Sequence, residues 1–106
     1  MSERARSNHW NDARGHPAGG CTSGIGFTIS WQNGPLGRGE KRQKPNGAFV
    51  EDIIVAARDR LAYYQQGDFA CQANSVAIER LTQALESLEA RTAERERRGV
   101  EGTDEP

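Results

Sequence analysis

Two stretches of apolar residues at helical spacing, with a five-residue linker between the helices they define, constrain this chain more than any other feature. Phe49, Val50, Ile53, Ile54, Ala57, Leu61 and Tyr64 recur at intervals of three and four, and so do Ala77, Ile78, Leu81, Ala84, Leu85 and Leu88. Each set forms one stripe on a helix with a polar far side. The intervening Gln66-Gly67-Asp68-Phe69-Ala70 is too short for anything but a reversal, so residues 48–98 are expected to form an antiparallel αα-hairpin. Asn46 stands before the first helix as a cap, Glu51 and Asp52 complement its dipole, and Gly67 serves as its stop. The second helix starts between Cys71 and Asn74 and ends at Gly99; its exposed flank carries i, i+4 pairs such as Glu94 with Arg98.

Upstream of this hairpin the period changes to two. Phe27, Ile29 and Trp31 alternate with Thr28 and Ser30, which predicts a strand starting at about Ile25. Asn33-Gly34-Pro35 breaks it. The segment Leu36 to Lys44, with four basic residues against Glu40, fits a charged edge strand closing a β-hairpin. The fold class expected is therefore α+β, a small β module over 25–47 followed by the helical hairpin over 48–98. Residues 1–24 are rich in glycine, asparagine and arginine without a period, and are expected to be a disordered tail; residues 99–106 form an acidic C-terminal tail.

The stripes also bear on assembly. Only seven aromatic residues occur among 106, and two amphipathic helices cannot close a core over about a dozen apolar side chains. A second copy is expected to supply the missing side, making the chain a homo-oligomer.

Little in the sequence points to catalysis. Both histidines fall in the expected tail, no nucleophile stands beside a base, and no glycine-rich phosphate loop joins a strand to a helix. His9, Trp10 and His16 invite a metal or base-stacking reading, but a disordered segment cannot preorganise them, so neither a metal site nor a cofactor is assigned. Cys21 and Cys71 lack a CxxC partner, and Cys71 is expected to be a buried small apolar residue. A formal net charge of −1 argues against general nucleic-acid binding, and no apolar run is long enough for a membrane span or a leader, so a cytoplasmic protein is expected.

Binding has better support. Tyr63, Tyr64 and Phe69 gather at the hairpin bend with Asn74, an aromatic surface beside an amide able to read a base edge or a ribose hydroxyl, although the same rings would also fill the hairpin tip. Arg91, Thr92 and Arg95 stand on neighbouring positions of the second helix, two guanidinium forks and a hydroxyl suited to phosphate. Repeated around a symmetry axis they would form an anion pocket; on a lone helix they are a solvated face.

These pieces occur in a recognisable order. Trp31-Gln32-Asn33-Gly34-Pro35, then Asn46-Gly47, then Tyr64-Gln65 with Gly67, Phe69, Cys71 and Asn74, then Arg91-Thr92 through Arg98-Gly99-Val100-Glu101-Gly102-Thr103, resemble the phage Thoeris anti-defence sponge family. That family shares its helical hairpin with the anti-CBASS cyclic-nucleotide sponges. The resemblance covers residues 25 to 103 and implies a non-enzymatic phage protein, assembled as a homo-oligomer, typically a hexamer, that sequesters nucleotide immune signals in the host cytoplasm. It implies that Tyr64, where the family has phenylalanine, and Asn74 grip a glycosylated cyclic ADP-ribose beside Phe69. It further implies that Arg91 and Arg95, with Thr92 adjacent, hold cyclic oligonucleotides, and that Arg38 is the basic contact from the β module. Two other readings are a structural or regulatory homo-oligomeric helical-hairpin protein, and a small nucleic-acid-binding module using Arg38, Lys41, Arg42 and Lys44.

Overall fold

The computed structural model describes residues 4–106 and contains three strands, β1 (Arg6–Asn11), β2 (Pro17–Gly24) and β3 (Phe27–Trp31), and two helices, α1 (Val50–Tyr64) and α2 (Gln72–Arg98). It divides into two compact units. One comprises the residues up to Phe49 together with Arg98–Pro106; the other is Val50–Arg97.

The first unit is an antiparallel sheet in the order β1-β2-β3. Arg6 pairs with Ser23 and His9 with Gly20, a bulge follows between His9 and Asn11, and Gly20 to Gly24 run against Trp31 to Phe27. The sheet overturns the expected tail: residues 6–24 supply two of its three strands. The glycine pair that reads as a breaker is required for packing. Gly19 and Gly20 are buried, and a Cβ on Gly20 would run into the Asn8 carbonyl on the neighbouring strand. Polar side chains replace an apolar core as cross-strand ties, with Trp31 Nε1 donating to Thr22 Oγ1 at 2.8 Å and Thr22 in turn 2.8 Å from Ser7 Oγ.

The expected return strand over 36–44 is also corrected. Gly34, Gly37 and Gly39 all take positive φ (78°, 87° and 61°), which no extended strand accommodates, and Gly39–Lys41 form a 3₁₀ turn. β3 pairs on one side with β2 and on the other meets Ala48 through a single parallel bridge, with Ala48 N–H donating to Ser30 O and Gln32 N–H to Ala48 O. Asn46 belongs to this junction and does not cap α1. Its Oδ1 accepts Asn33 N–H, its Nδ2 donates to Asn33 O, and its own N–H donates to Gln32 Oε1.

The C-terminal segment is likewise more than a tail. Gly37 N–H donates to Gly102 O, Arg38 Nη1 donates to Glu101 O at 2.8 Å, and Arg42 forms a two-pronged ion pair with the Glu101 carboxylate at 2.7 and 3.2 Å.

In the second unit the helices span about 22 and 40 Å at 1.5 Å per residue. Two contacts set their register, Arg58 Nη1 to Thr82 Oγ1 and Gln65 Nε2 to Ser75 Oγ. Seven residues down one helix match seven up the other, which carries Val50 to the level of about residue 90 and leaves the last turns of α2 overhanging α1. Of the expected stripes, Ile53, Ile54, Leu61 and Tyr64 on α1 and Ala77, Ile78, Leu81, Leu85 and Leu88 on α2 are half-buried, whereas Val50, Ala57 and Ala84 are exposed. Among the described residues no apolar side chain is fully buried, and Phe69 and Tyr63 remain 78% and 61% exposed.

Candidate functional site at the hairpin bend

The bend forms because α1 runs out of hydrogen-bond continuity at Tyr64. Gln66 N–H donates to Tyr63 O and Gly67 N–H to Tyr64 O, the tighter bonds with which helices commonly close. Gly67 is absent from the left-handed glycines, so the stop expected from it comes from this tightening. The chain then turns through Asp68 and Phe69, Ala70 N–H returns to Gly67 O, and α2 opens with Ser75 N–H donating to Cys71 O.

One side chain organises the turn. Gln65 Oε1 accepts Cys71 N–H at 2.9 Å and Asn74 Nδ2 at 3.0 Å, while Gln65 Nε2 donates to Cys71 O at 3.2 Å and Ser75 Oγ at 2.8 Å. Asn74 Nδ2 also donates to Phe69 O at 3.0 Å. Cys71, expected to be buried, is exposed; its backbone, held at both ends by Gln65, is the part the fold uses.

On the outer side of the bend lies a groove of about 510 Å³ lined by Arg60, Tyr63, Tyr64, Gln66, Gly67, Asp68 and Phe69. Tyr64 and Phe69 meet edge to face at 6.5 Å, and Tyr63 and Tyr64 are tilted at 6.1 Å. The Arg60 guanidinium stands 5.2 Å from the Tyr63 ring and 5.0 Å from the Tyr64 ring, and its Nε donates to the Tyr64 hydroxyl at 3.2 Å. A flat aromatic wall carrying a fixed positive charge and an adjacent carboxylate, Asp68, can stack a base, pair a phosphate and accept a hydroxyl.

Of the residues expected from sequence, the structure brings Tyr64, Phe69 and Asn74 to one bend, with Asn74 touching Phe69 through its carbonyl without lining the groove. Arg91, Thr92 and Arg95 lie about 25–32 Å from Asn74 along α2, on or near its overhang. There Thr92 Oγ1 donates back to Leu88 O. Arg38 belongs to the other unit, where it is held by Glu101 O. Arg60 and Gln65 were not assigned roles from sequence. Arg60 had a signal, its i, i+3 and i, i+4 spacing to Tyr63 and Tyr64; the role of Gln65 had none, since it depends on which groups the turn brings back. A second groove of about 600 Å³ lies at the sheet end beside Arg4, Arg6, Ile25 and Phe27, with Ile25 fully exposed.

Among the described residues no helix is long and apolar enough to cross a membrane. Comparison with known proteins assigns the hairpin. The curated "Thoeris anti-defense 1" of Bacillus phage SBSphiJ7 is 45% identical over 78 residues, covering 74% of this chain and 52% of that protein, so the chain spans about half the length of this relative. The Acb2/Tad1 hairpin domain matches residues 24–93, which take in β3, α1, the bend with its aromatic groove, and α2 as far as Arg91 and Thr92. The chain belongs to the Acb2/Tad1 hairpin-domain family.

Proposed function

We propose that this chain is a non-enzymatic phage anti-defence protein that binds and sequesters nucleotide immune signals in the host cytoplasm, working as a homo-oligomer, with the hexamer of the sponge family as the expected assembly. The observation that carries this reading is the groove in which Arg60, Tyr63, Tyr64 and Phe69 converge. A glycosylated cyclic ADP-ribose offers a base to stack on the rings, a pyrophosphate for the guanidinium and hydroxyls for Asp68 and Asn74. Arg91, Thr92 and Arg95 serve a second site for cyclic oligonucleotides, assembled where copies of the overhanging α2 meet, and Arg38 adds a basic contact from the sheet unit. Membership of the hairpin family and the name of the phage relative support the anti-defence role. The apolar stripes, left half-buried in one chain, support assembly. Commitment of Arg38 and Arg42 to Glu101 weighs against the nucleic-acid module.

Sequestration demands tight binding, about nanomolar or roughly −12 kcal/mol. The test is retention. The purified protein is incubated with cyclic ADP-ribose isomers and cyclic di- and trinucleotides, freed of unbound ligand and heated, and the released molecules are identified. Stoichiometric release of an ADP-ribose isomer, lost in Tyr64→Ala, is expected, with Arg91→Ala/Arg95→Ala losing cyclic trinucleotide alone. A chain that retains nothing from the panel is the structural or regulatory oligomer instead.

A further inference from the structure

A second cluster of chemistry lies in the sheet unit, on three residues that the proposed function does not use. The turn between β1 and β2 and the C-terminal segment bring Asp12, His16 and Asp104 together, with one donor atom from each inside a sphere where all lie within 4.8 Å of one another. Asp12 is set by the turn itself. Its Oδ1 accepts the N–H groups of Arg14 at 2.9 Å and His16 at 3.0 Å, and Asp12 N–H donates to His16 O. Asp104 arrives from the opposite end of the sequence.

His16 separates this cluster from a chance meeting of surface carboxylates. Its ring is 37% exposed overall, yet Nδ1 is shielded from water and has no hydrogen-bond partner. That nitrogen lies 3.6 Å from Asp104 Oδ2. A protonated Nδ1 facing a carboxylate would close to about 2.7–2.9 Å, and an unprotonated one would set a lone pair against a carboxylate oxygen with nothing between them. The spacing does match two ligands of one ion. Bonds of about 2.0–2.1 Å at a tetrahedral angle place ligand atoms about 3.4 Å apart.

We propose that Asp12, His16 and Asp104 bind one divalent transition-metal ion of the zinc type, with water completing its coordination. Two carboxylates neutralise the ion's charge, and the imidazole selects against magnesium and calcium, which take oxygen ligands. The ion ties the β1–β2 turn to the C-terminal segment, a cross-link over most of the chain's length.

The test uses the full chain, stripped with chelator and titrated with zinc chloride and, separately, magnesium chloride by calorimetry. One zinc per chain at about micromolar Kd is expected, with no saturable magnesium binding. His16→Asn and Asp104→Asn should each weaken zinc binding by roughly tenfold or more, with His9→Asn unchanged. Since either substitution could loosen the turn, nitrogen NMR of the unsubstituted protein provides the second reading: zinc should move His16 Nδ1 and leave His9 in place. The absence of saturable zinc binding below about 100 µM would overturn the proposal. So would binding that survives both substitutions, or a zinc response confined to His9 or the cysteines.

Discussion

Asn74 gives both of its amide protons to the bend, one to Gln65 Oε1 and one to Phe69 O, each at 3.0 Å. Both amides are oriented by fixed backbone groups, because Gln65 Oε1 also accepts Cys71 N–H and Phe69 O can only accept. Asn74 is therefore left with Oδ1 as its available hydrogen-bonding atom, and any partner it engages must donate. Exchanging Asn74 for Asp keeps that acceptor and removes both donors. We expect Asn74→Asp to destabilise the hairpin by about 1–3 kcal/mol, the cost of leaving Gln65 Oε1 short of a donor and two carbonyl-type oxygens facing a carboxylate. Urea unfolding monitored by helical circular dichroism measures it.

Gln65 makes four hydrogen bonds, so its replacement should separate acceptor from donor roles. Gln65→Ala removes all four bonds, leaving Asn74 Nδ2 only its bond to Phe69 O, and is expected to cost about 1–2 kcal/mol, whereas Gln65→Glu keeps the acceptor and should cost about half as much. Equal losses in the two variants, measured in the same unfolding assay, would contradict this division.

Arg60 lies over two rings, and Arg60→Lys retains charge while losing the planar stacking surface and the bond from Nε to the Tyr64 hydroxyl. Binding of an ADP-ribose isomer is expected to weaken by roughly three- to tenfold, about 0.5–1.5 kcal/mol. Isothermal titration against the unsubstituted protein reads the change.

Two glycines should respond oppositely to alanine. At Gly20 the added methyl group meets the Asn8 carbonyl, so Gly20→Ala should open β1 from β2, seen as faster hydrogen exchange at β1 amides. At Gly67 there is open space and no left-handed φ, so Gly67→Ala should be neutral or stabilise by up to about 1 kcal/mol.

The Arg42–Glu101 pair is partly exposed, at 41% and 21% side-chain accessibility. Glu101→Gln should therefore cost under about 1 kcal/mol, and the difference should shrink as salt rises. Unfolding midpoints at low and high ionic strength check both parts.

Periodicity and loop length by themselves determined the helical half of this protein. The stripe from Ile53 to Tyr64, the stripe from Ala77 to Leu88 and the five-residue linker 66–70 dictate a hairpin, because i, i+3, i+4 spacing and a short linker are local properties. The aromatic members of the bend were equally legible from their places in the chain. Tertiary structure alone decided the rest. Gly19 and Gly20 read as a breaker until β1 is seen to pass where a Cβ would stand, and Asn46 reads as a cap until Gln32 and Asn33 claim its polar atoms. Glu101 meets Arg42, and Asp104 meets His16, across most of the sequence. Those partnerships depend on which distant groups the folded chain carries together, and a pattern confined to neighbouring residues holds no record of that.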